Sequence, residues 1–350
     1  MNALSLFSGC GGDTLGLNRA GITVKWYSEI EKNARVSHDL NFKDCKLIGE
    51  DITAISDEKF AELKGQVDVI FAGFPCQSFS NGGKKDPSDP RGQLFMEFVR
   101  ATRLIQPKYI IGENVTGLLS RKTDAGEKFF DIIIQCFNEI GYTCQYHRVK
   151  AVDYGVPQLR ERLIIIGSKL ELPAFVQPKG VPRKNLKGIV KFSMKGTYQV
   201  SKTFLDEAGV LDESIVKDLD NTENADPKPH PYLVRKIQGE KVYKNVEYNI
   251  LFSFGLRKSP IHCEIVDLDK PTKTIICTYG HQPRLFVAQQ NANGYYLRPY
   301  LIDELKEIQG FPMDFQLTEN TRKHIIQLGN AVPPQIIETV GKWLVRCTES

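Results

Sequence analysis

The sequence has no apolar run near the roughly 20 residues that a membrane-spanning helix needs. The longest, such as LIIIG at 163–167, is the size of a strand. It opens on MNALSLFSG, with no basic segment leading into an apolar stretch and a small-residue cleavage site. A secretory leader is therefore not expected, and an intracellular, cytoplasmic protein is. The eight cysteines include no CxxC pair, and the six histidines include no HExxH. Neither a disulfide framework nor a metal centre is expected from such spacing. There is no internal repeat and no low-complexity tract. What remains is a chain of 350 residues, 41% hydrophobic and 25% charged. That is the profile of a soluble globular protein with one large domain or two ordinary ones. A net charge of +4 permits a polyanionic partner without requiring one.

Strand and helix signals alternate through the first 170 residues. ALSLF (3–7), VKWY (24–27), VDVIFAG (67–73), YIIGEN (109–114) and RLIIIG (162–167) read as short buried strands. Residues 31–42, 92–106 and 126–140 carry apolar positions at helical spacing. Buried strands separated by helices predict an α/β, doubly wound, mostly parallel sheet covered on both faces. From Pro173 the character changes. Seven Lys or Arg residues and no acid occupy 173–205, followed by eight acids and one lysine in 206–226. We read 1–172 with 318–350 as one domain and 173–317 as a second, smaller one. The helix expected from Pro334 to Arg346 returns to the first.

LFSGCGG (6–12) follows the first strand and opens a helix. Glycines there allow a tight turn beside a ligand, and a helix N-terminus offers free N–H groups. The dinucleotide fingerprint GxGxxG needs a glycine at position 14, which is Thr14, so a nicotinamide cofactor is disfavoured. Glu29 ends the second strand region, where a carboxylate accepts ribose hydroxyls, and Asp51 follows a third short strand. GFPCQSFS (73–80) lies at the carboxyl end of a buried strand, where open α/β sheets keep their active sites. Its turn-forming neighbours aim Cys76 into a cleft rather than a core, and a cysteine thiolate is a strong nucleophile. Glu113, after the run YIIG, is placed to act as an acid. Arg160 and Arg162 alternate at the start of a strand with Gln158 on the same side, suited to a polar or anionic substrate.

These segments, in order, are joined by SEIEKNA (28–34), EDI (50–52), ENV (113–115), VPQLRERLIIIG (156–167), ELKEIQGFP (304–312) and QLGNAVPPQI (327–336). Together they resemble the cytosine-5 DNA methyltransferases of the bacterial and viral type, nearly end to end. The resemblance implies a single chain with one target recognition region, at about 173–286, inside the smaller domain. It implies S-adenosylmethionine as cofactor and no metal. Phe7, Gly9, Gly11 and Gly12 would hold that cofactor, with Glu29 on its ribose and Ile30 nearby. Asp51 and Ile52 would frame its adenine, and Asn330 and Ala331 its methionine part. Cys76 would be the nucleophile, Glu113 the acid that reads the cytosine, and Arg160 and Arg162 contacts of a flipped-out nucleotide. Glu307 and Leu301 depart from the usual Arg and Thr of their motif, which puts the packing of the small domain in question.

The implied partner is double-stranded DNA, methylated by a monomer with a separate cognate restriction endonuclease. Lys84, Lys85 and Arg91, in the loop SNGGKKDPSDPRGQLF (80–95), would meet phosphates. So would Lys184, Lys187 and Lys191 of the basic stretch, while Gln282 and Arg284 would reach base edges. An RNA methyltransferase using the same chemistry, of the transfer-RNA type, and a non-catalytic DNA-binding relative are the alternatives. The length of the region after Pro173 argues against the first. The intact set of Cys76, Glu113, Arg160, Arg162 and Glu29 argues against the second.

Overall fold

The computed structural model describes residues 1–75, 94–123, 126–225, 264–280 and 283–349, with the backbone of two further strands at 233–237 and 250–254. Cys76, Lys84, Lys85, Arg91 and Gln282 lie outside the described residues. The larger sheet holds β1 (Asn2–Leu6), β2 (Thr23–Ser28), β3 (Lys46–Gly49), β4 (Val69–Ala72), β5 (Tyr109–Asn114), β6 (Thr143–Lys150) and β7 (Glu161–Ser168). Their order is β3-β2-β1-β4-β5-β7-β6. The first five run parallel, joined through α1 (Gly12–Arg19), α2 (Lys32–Asn41), α3 (Asp57–Ala61) and α4 (Leu94–Ile105). After β1 the strands proceed first to one side and then, from β4, to the other. The turn after β1 therefore opens at the point where strand order reverses, which is where such sheets bind ligands.

Successive strand residues face opposite sides, and each side has its own core. Leu4, Leu6, Ile70, Ile110, Leu163 and Ile165 pack against Phe60 of α3, Phe98 of α4 and Phe137 of α5 (Phe129–Glu139). Ala3, Val69, Phe71, Ile111, Ile164 and Ile166 face Leu17 of α1 and Ile336, Ile337, Val340 and Leu344 of α9 (Pro334–Glu349). Each of those four α9 side chains contributes about 1.5–3 kcal/mol by burial. The α1–α9 contact is close because of its glycines: a Cβ on Gly16 would stand 2.5 Å from the Pro334 carbonyl, and one on Gly341 2.6 Å from Ala20 Cβ.

The expected strands, and the helices at 31–42, 92–106, 126–140 and 334–346, all form, within a few residues at their ends. β6 carries no strand signal in the sequence. Its segment TCQYHRVK is polar at most positions because β6 is an edge strand, and it pairs antiparallel with β7, which itself runs antiparallel to β5.

The second unit carries β8 (Tyr198–Val200), α6 (Lys202–Glu207), β9 (Ile215–Asp218), the antiparallel pair β10 (Leu233–Ile237) and β11 (Ile250–Phe254), β12 (Glu264–Ile265), β13 (Leu285–Asn291), β14 (Gly294–Arg298), α7 (Ile302–Gln309) and α8 (Thr321–Asn330). Its main sheet runs β12-β13-β14-β8, with β9 also on β13. Leu186, Ile275, Val287, Leu305 and Ile308 form its core, which reaches Leu328 and Ala331 and touches the first unit at Cys10. From Val332 onward the chain packs into the larger sheet instead.

A fully buried Arg298 donates to both carboxylate oxygens of Glu304, at 2.8 and 2.6 Å. Glu304 also accepts from the Lys191 N–H at 3.1 Å, which pins the basic stretch to α7. The same carboxylate takes the Leu301 N–H, giving half of a capping box; leucine has no acceptor for the other half. Glu307 is exposed on α7 and takes no part in the core. The two departures at 301 and 307 therefore leave the packing intact.

Candidate active site

The turn after β1 is built from left-handed backbone. Phe7 has φ 57°, Gly9 φ 56° and Gly11 φ 95°. For a bulky side chain such as Phe7 this conformation is strained and marks a functional turn. Gly11 and Gly12 serve packing: a Cβ on either would stand 2.4 Å from the Phe42 ring or the Val332 carbonyl, respectively.

The turn opens onto a cavity of about 470 Å³. Phe7, Gly9, Glu29, Ile30, Asn330 and Ala331 form one part of its wall, and Gly73, Pro75, Glu113, Arg160 and Arg162 another. Glu29 accepts the N–H of Gly9 and the N–H of Glu31, both at 2.7 Å, so its carboxylate is locked against the turn. Burial pushes its pKa up, and the two backbone donors oppose that shift. Ile30 is 68% exposed at the cavity rim, an apolar side chain left uncovered beside a charged one. Asp51 and Ile52 are not on the wall. Asp51 caps the following turn through Thr53, and Ile52 is buried in the core. Cys10 does reach the wall, but burial pushes its thiol up to about 12, which makes it a poor nucleophile.

At the other end, β4 ends in Ala72 and the chain proceeds through Gly73 and Phe74 to Pro75, the residue before Cys76. Glu113 of ENV is marked by its place at a strand end, whereas the role of its neighbour Asn114 shows only in the fold. Asn114 is buried and donates to the Phe74 carbonyl at 3.0 Å, fixing the approach to Cys76. Glu113 faces Arg162 across the β5–β7 pair, with Nε 2.8 Å from Oε1 and both side chains 13% exposed. Burial lowers the pKa of Arg162, and the Glu113 carboxylate works to restore it. Arg160 is buried and donates to the carbonyls of Ile275 at 3.1 Å and Gly329 at 2.9 Å. Gln158 is also buried and bonded to Gln309 at 2.7 Å, a contact between the segment before β7 and α7 that spacing alone did not signal.

Of the residues expected on DNA, Lys184, Lys187 and Lys191 are exposed. Lys187 is already paired with Asp269 at 2.6 Å. Arg284 immediately precedes β13, and its Nε is buried with no hydrogen-bond partner among the described residues. Among the described residues no cluster of His, Cys, Asp or Glu could hold a metal ion, and no helix is long and apolar enough to cross a membrane.

The geometry is that of a nucleoside-sized cleft with a carboxylate and apolar rim at one end and an acid–guanidinium pair, with Pro75 on the same wall, at the other. Comparison with known proteins agrees. The chain is 30% identical over 352 residues to the Type II methyltransferase M1.HphI of Haemophilus parahaemolyticus, covering 98% of this chain and 86% of that one. It is 31% identical over 352 residues to the Type II methyltransferase M.FnuDI of Fusobacterium nucleatum, covering 98% and 93%. Among solved structures, the Entamoeba histolytica methyltransferase EhMeth superposes with a TM-score of 0.67 at 16% identity, over 100% of this chain and 99% of that one. Spodoptera frugiperda DNMT2 does so with a TM-score of 0.66 at 18% identity, over 98% and 99%. The model of the C-5 cytosine-specific DNA methylase family matches residues 1–346. The chain belongs to that family and is a DNA cytosine-5 methyltransferase.

Proposed function

We propose that the cavity takes S-adenosylmethionine at its Phe7–Glu29 end and a flipped-out cytosine at its Glu113–Arg162 end, with Cys76 as nucleophile between them. The observation that carries this reading is that one cavity has Glu29, Glu113 and Pro75 on its wall, and Pro75 is one residue before Cys76. The fit to the cofactor rests on the strained Phe7, on the Glu29 carboxylate locked at the turn and on the exposed Ile30 beside it. Phe7, Gly9, Glu29, Ile30, Asn330 and Ala331 hold the nucleoside and amino-acid parts, with Gly11 and Gly12 shaping the turn. Asp51 and Ile52 stand one strand further out, so a contact from them needs the adenine to extend past Ile30. When bound, the cofactor supplies an electrophilic methyl group.

Carbon 5 of cytosine is too weak a nucleophile to accept that group unaided. Addition of the Cys76 thiolate to carbon 6 turns the ring into an enamine-like species, nucleophilic at carbon 5. Glu113 stabilises the adduct by hydrogen bonding or proton donation at ring nitrogen 3. Arg162 holds that carboxyl in place and stands beside the nucleotide. Once carbon 5 has taken the methyl group, with S-adenosylhomocysteine as the leaving group, loss of the carbon 5 proton to a base such as solvent expels the Cys76 thiolate and restores the ring. A base within a duplex is out of reach, so the target is flipped, at a cost of a few kcal/mol.

The region 173–317, which is the second unit without α8, carries the target recognition region at about 173–286, with the exposed lysines on phosphates and Gln282 and Arg284 toward bases. The enzyme works as a monomer inside the cell, alongside a separate restriction endonuclease. Bisulfite sequencing of a plasmid carried in cells that express the protein tests activity and target choice together. Methylated cytosines in one sequence context are expected, and none with Cys76→Ser. DNA bearing 5-fluorocytosine in that context should trap a covalent adduct at Cys76. An absent adduct with DNA binding intact would remove Cys76 from the nucleophile's role.

A further inference from the structure

Three consecutive carbonyl oxygens at the end of α8 are each held by a buried side chain from elsewhere in the fold. Arg160 donates through Nη2 to Gly329 at 2.9 Å and to Asn330 at 3.5 Å. Gln309 donates through Nε2 to Ala331 at 2.6 Å. The last carbonyls of a helix have no intrahelical donor, and a guanidinium also suits the negative end of the helix dipole. Arg160, together with Gln158, also grips one residue of the second unit. Ile275 gives its carbonyl to Arg160 Nη1 at 3.1 Å and its N–H to Gln158 Oε1 at 3.1 Å. Gln158 Nε2 then donates to Gln309 Oε1 at 2.7 Å.

The direction of this chain of bonds is fixed at both ends by the backbone. Only an acceptor can meet the Ile275 N–H, and only a donor can meet the Ala331 carbonyl. Both glutamine amides are thereby oriented, and the hydrogen bonds run one way from Ile275 through Gln158 and Gln309 to Ala331. Gln158, Arg160 and Gln309 are at most 1% exposed. Polar groups so buried are costly to leave unpaired, which makes the arrangement exacting.

We infer that Gln158, Arg160 and Gln309 are positioning residues that hold the 329–331 turn on the cofactor cavity and tie it to the Ile275 segment of the second unit. The inference rests on reading that cavity as the S-adenosylmethionine site. Asn330 is exposed on the cavity wall, so the direction of its side chain depends on where the turn is held. Arg160 thus acts differently from Arg162. Its two terminal nitrogens are engaged with backbone carbonyls, whereas Arg162 meets a carboxylate.

Gln309→Glu separates the two halves of the relay, because a carboxylate still accepts from Gln158 and cannot donate to Ala331. Arg160→Lys keeps the charge and loses the fork. Binding of S-adenosylhomocysteine to the full chain, measured by calorimetry without DNA, is expected to weaken roughly tenfold in each, the equivalent of one buried hydrogen bond. Affinity for plasmid DNA without cofactor should stay at the wild-type value. Gln309→Met, which nearly keeps the volume and removes both bonds, carries the same expectation should Arg160→Lys fail to fold. An Arg160→Lys protein that binds S-adenosylhomocysteine normally but has lost methyl transfer would place Arg160 on the nucleotide and overturn the inference. Unchanged affinity in the two Gln309 variants would overturn it equally. If the wild-type protein itself fails to bind S-adenosylhomocysteine, it is the cofactor reading that falls, and this inference with it.

Discussion

Glu113 and Arg162 meet across an antiparallel strand pair in a mostly parallel sheet, with 2.8 Å between carboxylate and guanidinium. Because β7 runs against β5, the start of β7 lies beside the end of β5, and the acid and its arginine reach one edge of the sheet. Glu113→Gln should lower methyl transfer by about 10²–10⁴-fold, the usual worth of a positioned acid. It should also cost about 3 kcal/mol of stability, because the arginine is left buried without its counter-charge. Single-turnover rates and denaturant melts measure the two effects separately. A fully active variant would dismiss Glu113 as the acid.

Glu29→Ala should weaken S-adenosylmethionine binding by about 10- to 100-fold, the worth of charge-assisted hydrogen bonds to a buried carboxylate. Asp51→Ala should change it by less, since Asp51 lies off the cavity wall and already accepts from Thr53. Calorimetric titration of both proteins compares them. An effect of Asp51→Ala as large as that of Glu29→Ala would mean the adenine extends past Ile30.

Two buried groups near the cofactor turn should oppose each other as pH changes. Asp13, hydrogen-bonded to Ser5, has its pKa raised by burial to about 7, and burial lowers that of His38 to about 3. Thr14 stands between them, 3.4 Å from the Asp13 carboxylate and 3.1 Å from His38 Nε2. From about pH 4 to 7 folded Asp13 keeps a proton that the unfolded chain has lost, so its contribution to stability falls as pH rises. From about pH 3 to 6.5 the unfolded chain holds a proton on histidine that the folded protein lacks, so that contribution rises with pH. The slopes cancel where they overlap. His38→Gln should unmask a fall in stability from pH 4 to 7, and Asp13→Asn a rise from pH 3 to 6.5, each by at most about 1.4 kcal/mol per unit. Urea melts across this range would show matching curves for both variants if the groups are not perturbed as described.

Replacing Lys184 and Lys191 by alanine should weaken binding to all DNA and reduce the salt slope by about 0.9 for each phosphate that is no longer neutralised. Adding Lys187→Ala should do less, because Asp269 already meets its charge. Arg284→Ala should instead relax the choice at one base pair, at a cost of roughly 1–3 kcal/mol on the preferred site. Methylation maps separate these outcomes, and an unchanged map for Arg284→Ala would leave it a scaffold residue.

The buried parallel strands were legible because runs such as VIFA and YIIG carry their own signal, and the turn glycines marked the ligand end. The edge strand β6 was not. Its polar segment shows a strand's pattern only once β7 is beside it. Glu113 and Glu29 stood out as acids at strand ends, and the structure puts both on one cavity. The roles of Asn114, Gln158 and Gln309 were hidden, since a buried amide is recognised by its partners and these come from distant positions. Arg160 and Arg162 look alike in sequence. One turns to backbone carbonyls and the other to a carboxylate, a difference set by the elements packed over them.

The glycine-fitted contact between α1 and α9 bears on how the protein folds. The turn after β1 is completed by residues such as Gln327, whose carbonyl meets Cys10 across 317 positions of sequence. Contacts so distant along the chain carry a high loop-closure cost and slow folding. During synthesis the turn after β1 lacks its Gln327 contact, and the apolar face that α9 covers stays open, until those later segments have emerged from the ribosome. The protein should consequently depend on protection from aggregation in that interval. Refolding from denaturant should show the large sheet gaining protection from hydrogen exchange well before the capacity to bind S-adenosylhomocysteine returns.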